Sequence, residues 1–161
     1  MNSSSNKRKP AKDPGTYALV LHLSRTQTIR IGALGECKFP RGYYVYIGSA
    51  MNGLAARIAR HLVQNRLAIR ANDERDQTAM KRWRERKKKM HWHIDYLLEH
   101  ARVTEVMTHQ GPERFECVWA QAALALPKAK IILPRFGASD CNCAAHLIYF
   151  GNRPPQFKDK G

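Results

Sequence analysis

Residues 15–23, GTYALVLHL, form a largely apolar run between Pro14-Gly15 and Ser24-Arg25. Tyr17, Leu19, Leu21 and Leu23 fall on one face and Ala18, Val20 and His22 on the other, which predicts a strand with one face the more apolar. Residues 27–34, QTIRIGAL, set Ile29 and Ile31 against Thr28 and Arg30, a second strand expected to return in a hairpin. Residues 35–40 read as a turn, and residues 43–47 as a third strand that Gly48 ends. After Gly53 the period lengthens. Leu54, Ile58 and Leu62 recur every four residues, with Ala55, Ala59 and Val63 alongside, predicting an amphipathic helix over about 53–67 with Asn52 as N-cap. Its other side carries Arg57, Arg60 and His61, and the i, i+4 spacing puts Arg57 and His61 on one face. HWHIDYLLEHA (91–101) reads as a second helix with Ile94, Leu97 and Leu98 inward, and RVTEVMTH (102–109) as a short strand. Pro112 suits the first turn of a third helix, whose expected stripe is Phe115, Val118, Trp119, Ala122 and Leu126. Residues 134–143 read as loop and HLIYF (146–150) as a last strand.

These elements predict one α/β (α+β) domain over 14–150, a small antiparallel or mixed central sheet flanked by helices. A disordered basic tail (1–13) and a loose tail (151–161) flank it. A chain of 161 residues that is 43% hydrophobic fits one domain with its own core. No stretch is long or apolar enough to span a membrane, and the N-terminal MNSSSNKRKPAKDP lacks the apolar region of a secretory signal. The expectation is a cytoplasmic protein.

Charge changes the picture. Lys and Arg number 28 against 13 Asp and Glu, a formal charge of +15. Such a chain repels itself unless a polyanion is near, and nucleic acid is the commonest one. No basic amphipathic anchor with an aromatic face marks a membrane surface. Residues 70–90 form a basic insertion or lid, with Lys81, Arg82, Arg84, Arg86, Lys87, Lys88 and Lys89 around Trp83. A like-charge block is ordinarily solvated or disordered. With an embedded tryptophan it is also a candidate helix or lid that grips phosphate.

Gly15, Thr16 and Tyr17, followed by Tyr46, Ile47 and Gly48, then an arginine-bearing helix and a later glutamate, resemble the signatures of the GIY-YIG nucleases. FPRGYYVYIGSA, HWHIDYLLEHA, RFEC and SDCNCAAHLIYF are similar to a compact branch of that superfamily sometimes fused to an endonuclease III repair glycosylase. The likeness covers roughly residues 14–150. It implies an endonuclease that hydrolyses phosphodiester bonds in DNA with one Mg²⁺ or Mn²⁺, in repair, recombination or genome maintenance. RNA presents the same backbone chemistry, and nothing in the sequence sets an oligomeric state. Matched residue by residue, Tyr17 and Tyr46 are the signature tyrosines, Gly48 the glycine that lets backbone approach phosphate, Arg57 the helix arginine and Glu116 the metal-holding glutamate. Ser49 stands where many members have lysine, and His61 where many have tyrosine. Histidine can move that proton more easily near neutral pH.

The chemistry suits these residue types. Arginine offers a planar, always-charged fork for phosphate oxygens, and a carboxylate holds a hard cation. A tyrosine hydroxyl can orient water or pass its proton. Read alone, Tyr17 and Tyr46 are equally strand tyrosines, Arg57 and Arg60 a solvated helix face, and Glu116 a first-turn acid favoured by the helix dipole. His91, His93 and Asp95 form a second constellation, either a capped helix start or a cleft wall where His91 or His93 touches phosphate. Cys141, Cys143 and His146 are a third, candidate zinc ligands, with Cys117 a further one if its helix packs nearby. One residue between Cys141 and Cys143 suits a tetrahedral site poorly, and in a chain without a signal peptide reduced thiols are the default. Two other readings stay open: a non-catalytic nucleic-acid-binding module of the same fold, and a zinc-stabilised interaction domain.

Overall fold

In the computed structural model, which describes residues 13–71, 77–87 and 90–155, strand β1 (Gly15–Leu23) is covered on both pleat faces. A strand buried on both sides belongs inside a sheet with layers above and below. Strand β4 (Gly42–Ala50) pairs with it antiparallel along its whole length, from Gly15 opposite Ala50 to Leu23 opposite Gly42. Strand β5 (Arg102–Gln110) takes its other edge, with a register shift between Val20 and Leu21. Strand β6 (Leu147–Phe150) joins β4, so the antiparallel order is β5-β1-β4-β6. The fold is α+β.

The two faces make two cores. Tyr17, Leu19, Leu21, Leu23, Tyr44 and Tyr46 pack with Leu54, Ile94, Leu97 and Leu98, from helices α1 (Leu54–Ala71) and α3 (His93–Leu97) and the residue after α3. Ala18, Val20, Val45, Ile47, Ile148 and Phe150 pack on Trp119, Ala120 and Ala123 of helix α4 (Glu116–Leu124). Helix α2 (Gln77–Lys87) packs against α1. Among the described residues no helix is long and apolar enough to cross a membrane.

Several boundaries differ from expectation for physical reasons. Residues 27–34 do not return on β1. Strand β2 (Gln27–Arg30) pairs instead with β3 (Glu36–Phe39) as a separate ribbon, closed by a 3₁₀ turn over Gly32–Leu34. The expected turn at 35–40 is thus mostly strand: Phe39 is fully buried, and only Gly35, at φ 80, bends the chain. Gly48 does not end β4. It sits inside the strand because the Tyr17 ring lies across it, and a Cβ there would stand 2.7 Å from the Tyr17 hydroxyl oxygen. The α1 start is capped from elsewhere than Asn52. The Gly53 carbonyl accepts the Arg57 N–H, while Asp13 accepts the Leu54 N–H through its carbonyl and the Ala55 N–H through its carboxylate.

The buried stripe of α1 is also more polar than the pattern suggested. Leu54, His61, Gln64, Asn65 and Ala68 are buried, whereas Ala55, Ala59 and Val63 are exposed. Gln64 donates to the Asp95 carbonyl, and Asn65 donates to the Leu98 and Ala101 carbonyls while accepting the Val103 N–H. These amides satisfy the backbone between α3 and β5, so burial costs them no hydrogen bond. The third helix begins at Glu116 rather than Pro112, and Thr16 accepts the Phe115 N–H just before it. Val118 and Ala122, expected inward, face solvent. The second helix is shorter than 91–101. Residues 1–12 and 156–161 of the expected tails lie outside the described residues.

Candidate active cleft

The pairing of β1 with β4 places Leu19 opposite Tyr46 and Tyr17 opposite Gly48, so the two tyrosines are diagonal neighbours on one face, ring centroids 6.2 Å apart. They line a cleft of about 280 Å³ together with Gly48, Ser49, Arg57 from α1 and Glu116 from α4. Four of the five residues matched as catalytic therefore meet in one polar cavity.

The fifth, His61, lies buried behind it. Its Nε2 is 2.8 Å from the Tyr17 hydroxyl, and its Nδ1 faces the Asp95 Oδ1 at 4.0 Å. Burial first, then Arg57 and Arg60, lower its pKa to about 4, against the pull of Asp95. The ring is therefore neutral at pH 7. With its proton on Nδ1 toward Asp95, Nε2 accepts from Tyr17. Burial pushes the Tyr17 phenol up to about 12, with Arg57 and Tyr46 countering part of the rise, and burial with Tyr17 holds Tyr46 well above the usual phenol range. The Tyr17 hydroxyl thus joins the polar cleft to the buried His61.

The expectation that His61 titrates near neutrality is corrected by this burial. An unfolded chain protonates this ring near pH 6.5, the folded one near 4. As pH falls through that window the unfolded state takes up a proton the folded state refuses, so stability falls by about 3 kcal/mol. Urea midpoints should accordingly drop less between pH 7 and pH 4.5 in His61→Gln than in wild type; equal drops would refute the assignment.

Asp95 anchors the structure behind the cleft. Its fully buried carboxylate accepts the backbone N–H groups of His91 (2.9 Å) and Trp92 (3.0 Å), and Arg60 approaches it at 3.5 Å. The capped-start reading of His91–Asp95 describes this arrangement. The His91 ring is exposed and meets the Trp92 ring edge-on, and His93 Nδ1 accepts the Gly137 N–H at 2.9 Å. Arg57 and Arg60 both stack on the Trp92 indole, 4.3 and 4.2 Å from its centroid. Arg57 lines the cleft; Arg60 does not.

The basic run lies elsewhere. Lys81, Arg82 and Arg84 are exposed on α2, and none lines the cleft. The Lys87 side chain, Lys88 and Lys89 lie outside the described residues. Sequence reasoning missed Trp92, Arg114 and Asp140, all cleft residues. Glu116 and Asp140 give it two carboxylates, a donor set that suits a hard cation completing its shell with water and phosphate oxygens. The repeated acid–cysteine pairs, Glu116-Cys117 and Asp140-Cys141, were the available signal for the second acid.

Beside the cleft, Cys117, Cys141, Cys143 and His146 bring their ligand atoms within 4.8 Å of one another. This cluster could bind a metal such as zinc. The Cys-x-Cys pair alone is short of a ligand set, and α4 supplies the missing thiol.

No curated protein and no solved structure matches the chain. One family model does, over residues 16–160, and the chain belongs to that family, described as domain of unknown function DUF123.

Proposed function

We propose that this protein is a metal-dependent endonuclease of the GIY-YIG type that hydrolyses phosphodiester bonds in DNA. One observation carries the reading. Two tyrosines from paired strands, an arginine from the next helix and a glutamate from the opposite layer converge on a single polar cleft. The +15 charge supports a polyanionic substrate.

The roles follow from position. Arg57, held by Trp92 and by the Ser49 carbonyl at 3.4 Å, presents its guanidinium to the non-bridging phosphate oxygens. Water attacks phosphorus and gives its proton to the Tyr17 oxygen as Tyr17 passes its own to His61 Nε2. The P–O bond to the leaving oxygen breaks, and solvent protonates that oxygen. Glu116, with Asp140, would hold the cation. A bound Mg²⁺ or Mn²⁺ supplies positive charge to the transition state and the leaving oxygen. Gly48 serves by admitting the Tyr17 ring.

Purified protein with Mg²⁺ or Mn²⁺ should cut at least one of branched, nicked or single-stranded DNA, and Glu116→Gln should cut at least about 10²-fold more slowly while binding as well. Affinity should fall steeply with salt. Wild type that cuts nothing, or a Glu116→Gln as active as wild type, overturns the reading. A second reading, a binding module without hydrolysis, draws support from Ser49, whose buried hydroxyl has no hydrogen-bond partner where a lysine charge is common in the resembled family. Salt-sensitive binding without cleavage selects it.

A further inference from the structure

We infer that Cys117, Cys141, Cys143 and His146 form a closed, structural zinc site that locks the two acid-bearing segments of the cleft together. The zinc assignment stands apart from the nuclease reading; only the use made of the two acids rests on it.

The geometry is close to that of an occupied site. Tetrahedral zinc, with bonds of about 2.3 Å to sulfur and about 2.0 Å to nitrogen, separates its ligand atoms by about 3.5–3.8 Å. Here Cys141 Sγ lies 3.4 Å and Cys117 Sγ 3.9 Å from His146 Nε2, and no pair of ligand atoms exceeds 4.8 Å. Shifts well under the length of a bond complete the tetrahedron. Three thiols and an imidazole are soft and borderline donors, unsuited to Mg²⁺ or Ca²⁺ and matched to zinc. All four corners are protein atoms, so no position stays open for substrate water. That is the mark of a structural ion rather than a catalytic one.

The surroundings orient the ligands. The His146 ring turns its Nε2 toward both the Cys117 and the Cys141 sulfur. The His146 N–H donates to the Phe136 carbonyl, and its carbonyl accepts the Ile47 N–H, so β4 and the loop grip it from two sides. Arg135 donates to the carbonyls of Cys141 and Cys143, 2.6 Å each, and holds the Cys-x-Cys turn closed. On binding, three thiols release three protons to solvent as three S–Zn bonds and one N–Zn bond form. Glu116 precedes Cys117 and Asp140 precedes Cys141, so each acid of the cleft sits one peptide from a ligand. α4 and the 134–146 loop otherwise lack a covalent tie, and the ion supplies it.

The test is metal analysis of the full chain purified without chelator. About one zinc per chain is expected. Cys141→Ser and His146→Ala should lose most of it, while Cys37→Ser, whose sulfur lies outside the cluster, should keep it. Because a ligand variant may misfold, wild type stripped of metal under reducing conditions is also titrated with Co²⁺. The intense visible bands of tetrahedral cobalt with thiolate charge transfer are expected, then lost as Zn²⁺ displaces cobalt. Wild type holding less than about a tenth of an equivalent of zinc and giving no such bands overturns the site. Stoichiometric iron in place of zinc, or equal zinc loss from Cys37→Ser, does so too. None of these readouts involves DNA, so the site can fail while the nuclease stands, and the reverse.

Discussion

Tyr17→Phe should slow phosphodiester hydrolysis by about 10²–10⁴-fold, the usual contribution of a positioned proton-transfer group. The ring is 1% exposed and packs identically in phenylalanine, so only the oxygen is lost. That oxygen lines the cleft and gives a hydrogen bond to His61 at 2.8 Å. Without it, water has no route for its proton into the buried imidazole. Arg57 and Glu116 are untouched, so DNA affinity should hold while the rate falls. His61 Nε2 is left buried and unpaired, which costs about 1–3 kcal/mol of stability, and the comparison therefore belongs well below the melting temperature. Single-turnover cleavage with saturating protein, beside anisotropy measurements of binding, reads the two effects separately. A variant that cuts as fast as wild type would remove Tyr17 from the chemistry. One that merely loses affinity would make it a binding residue.

Asp95→Ala should be the most destabilising single change behind the cleft, by about 3–5 kcal/mol. The carboxylate is fully buried, accepts two backbone N–H groups, and faces Arg60 at 3.5 Å and the buried Nδ1 of His61 at 4.0 Å. Its removal leaves an imidazole, two amides and a half-buried guanidinium to find other partners. The contrast is Arg153 with Glu105, 3.7 Å apart with the arginine 70% exposed, where deletion should cost under about 1 kcal/mol. Urea unfolding of Asp95→Ala and Glu105→Ala measures both. An Asp95→Ala loss no larger than that of Glu105→Ala would show that the network is not a support.

How far the sequence carried depends on the kind of signal. β1 was legible because an apolar run of strand length stands between turn residues at Pro14-Gly15 and at Ser24-Arg25. The lower part of α1 was misread because His61, Gln64 and Asn65 are polar, and a hydrophobic period assigns polar residues to solvent. Their burial depends on backbone groups of α3 and β5 some thirty positions away. The strand at β2 was read but its partner β3 escaped, because a four-residue strand is too short to outvote Gly35 and Pro40. Trp92 and Arg114 fell inside expected helices that in fact begin just after them, and Asp140 stands in a loop where no period exists to place it. The third sulfur of the cluster, Cys117, is distant in the chain and reaches the others through the packing of α4 on the sheet.

The Tyr17 ring fits over Gly48 only in the native register. Side chains alternate, so a slip of one residue between β1 and β4 would swing Tyr17 or Gly48 to the α4 side of the sheet. The hydroxyl and the gap that receives its ring would then part. A chain with mispaired strands thus loses the Tyr17–His61 contact together with its core, and under the proposed function cleavage would report on correct assembly. Under that same proposal a misfolded copy would keep the +15 charge that attracts a polyanion without the means to sever it.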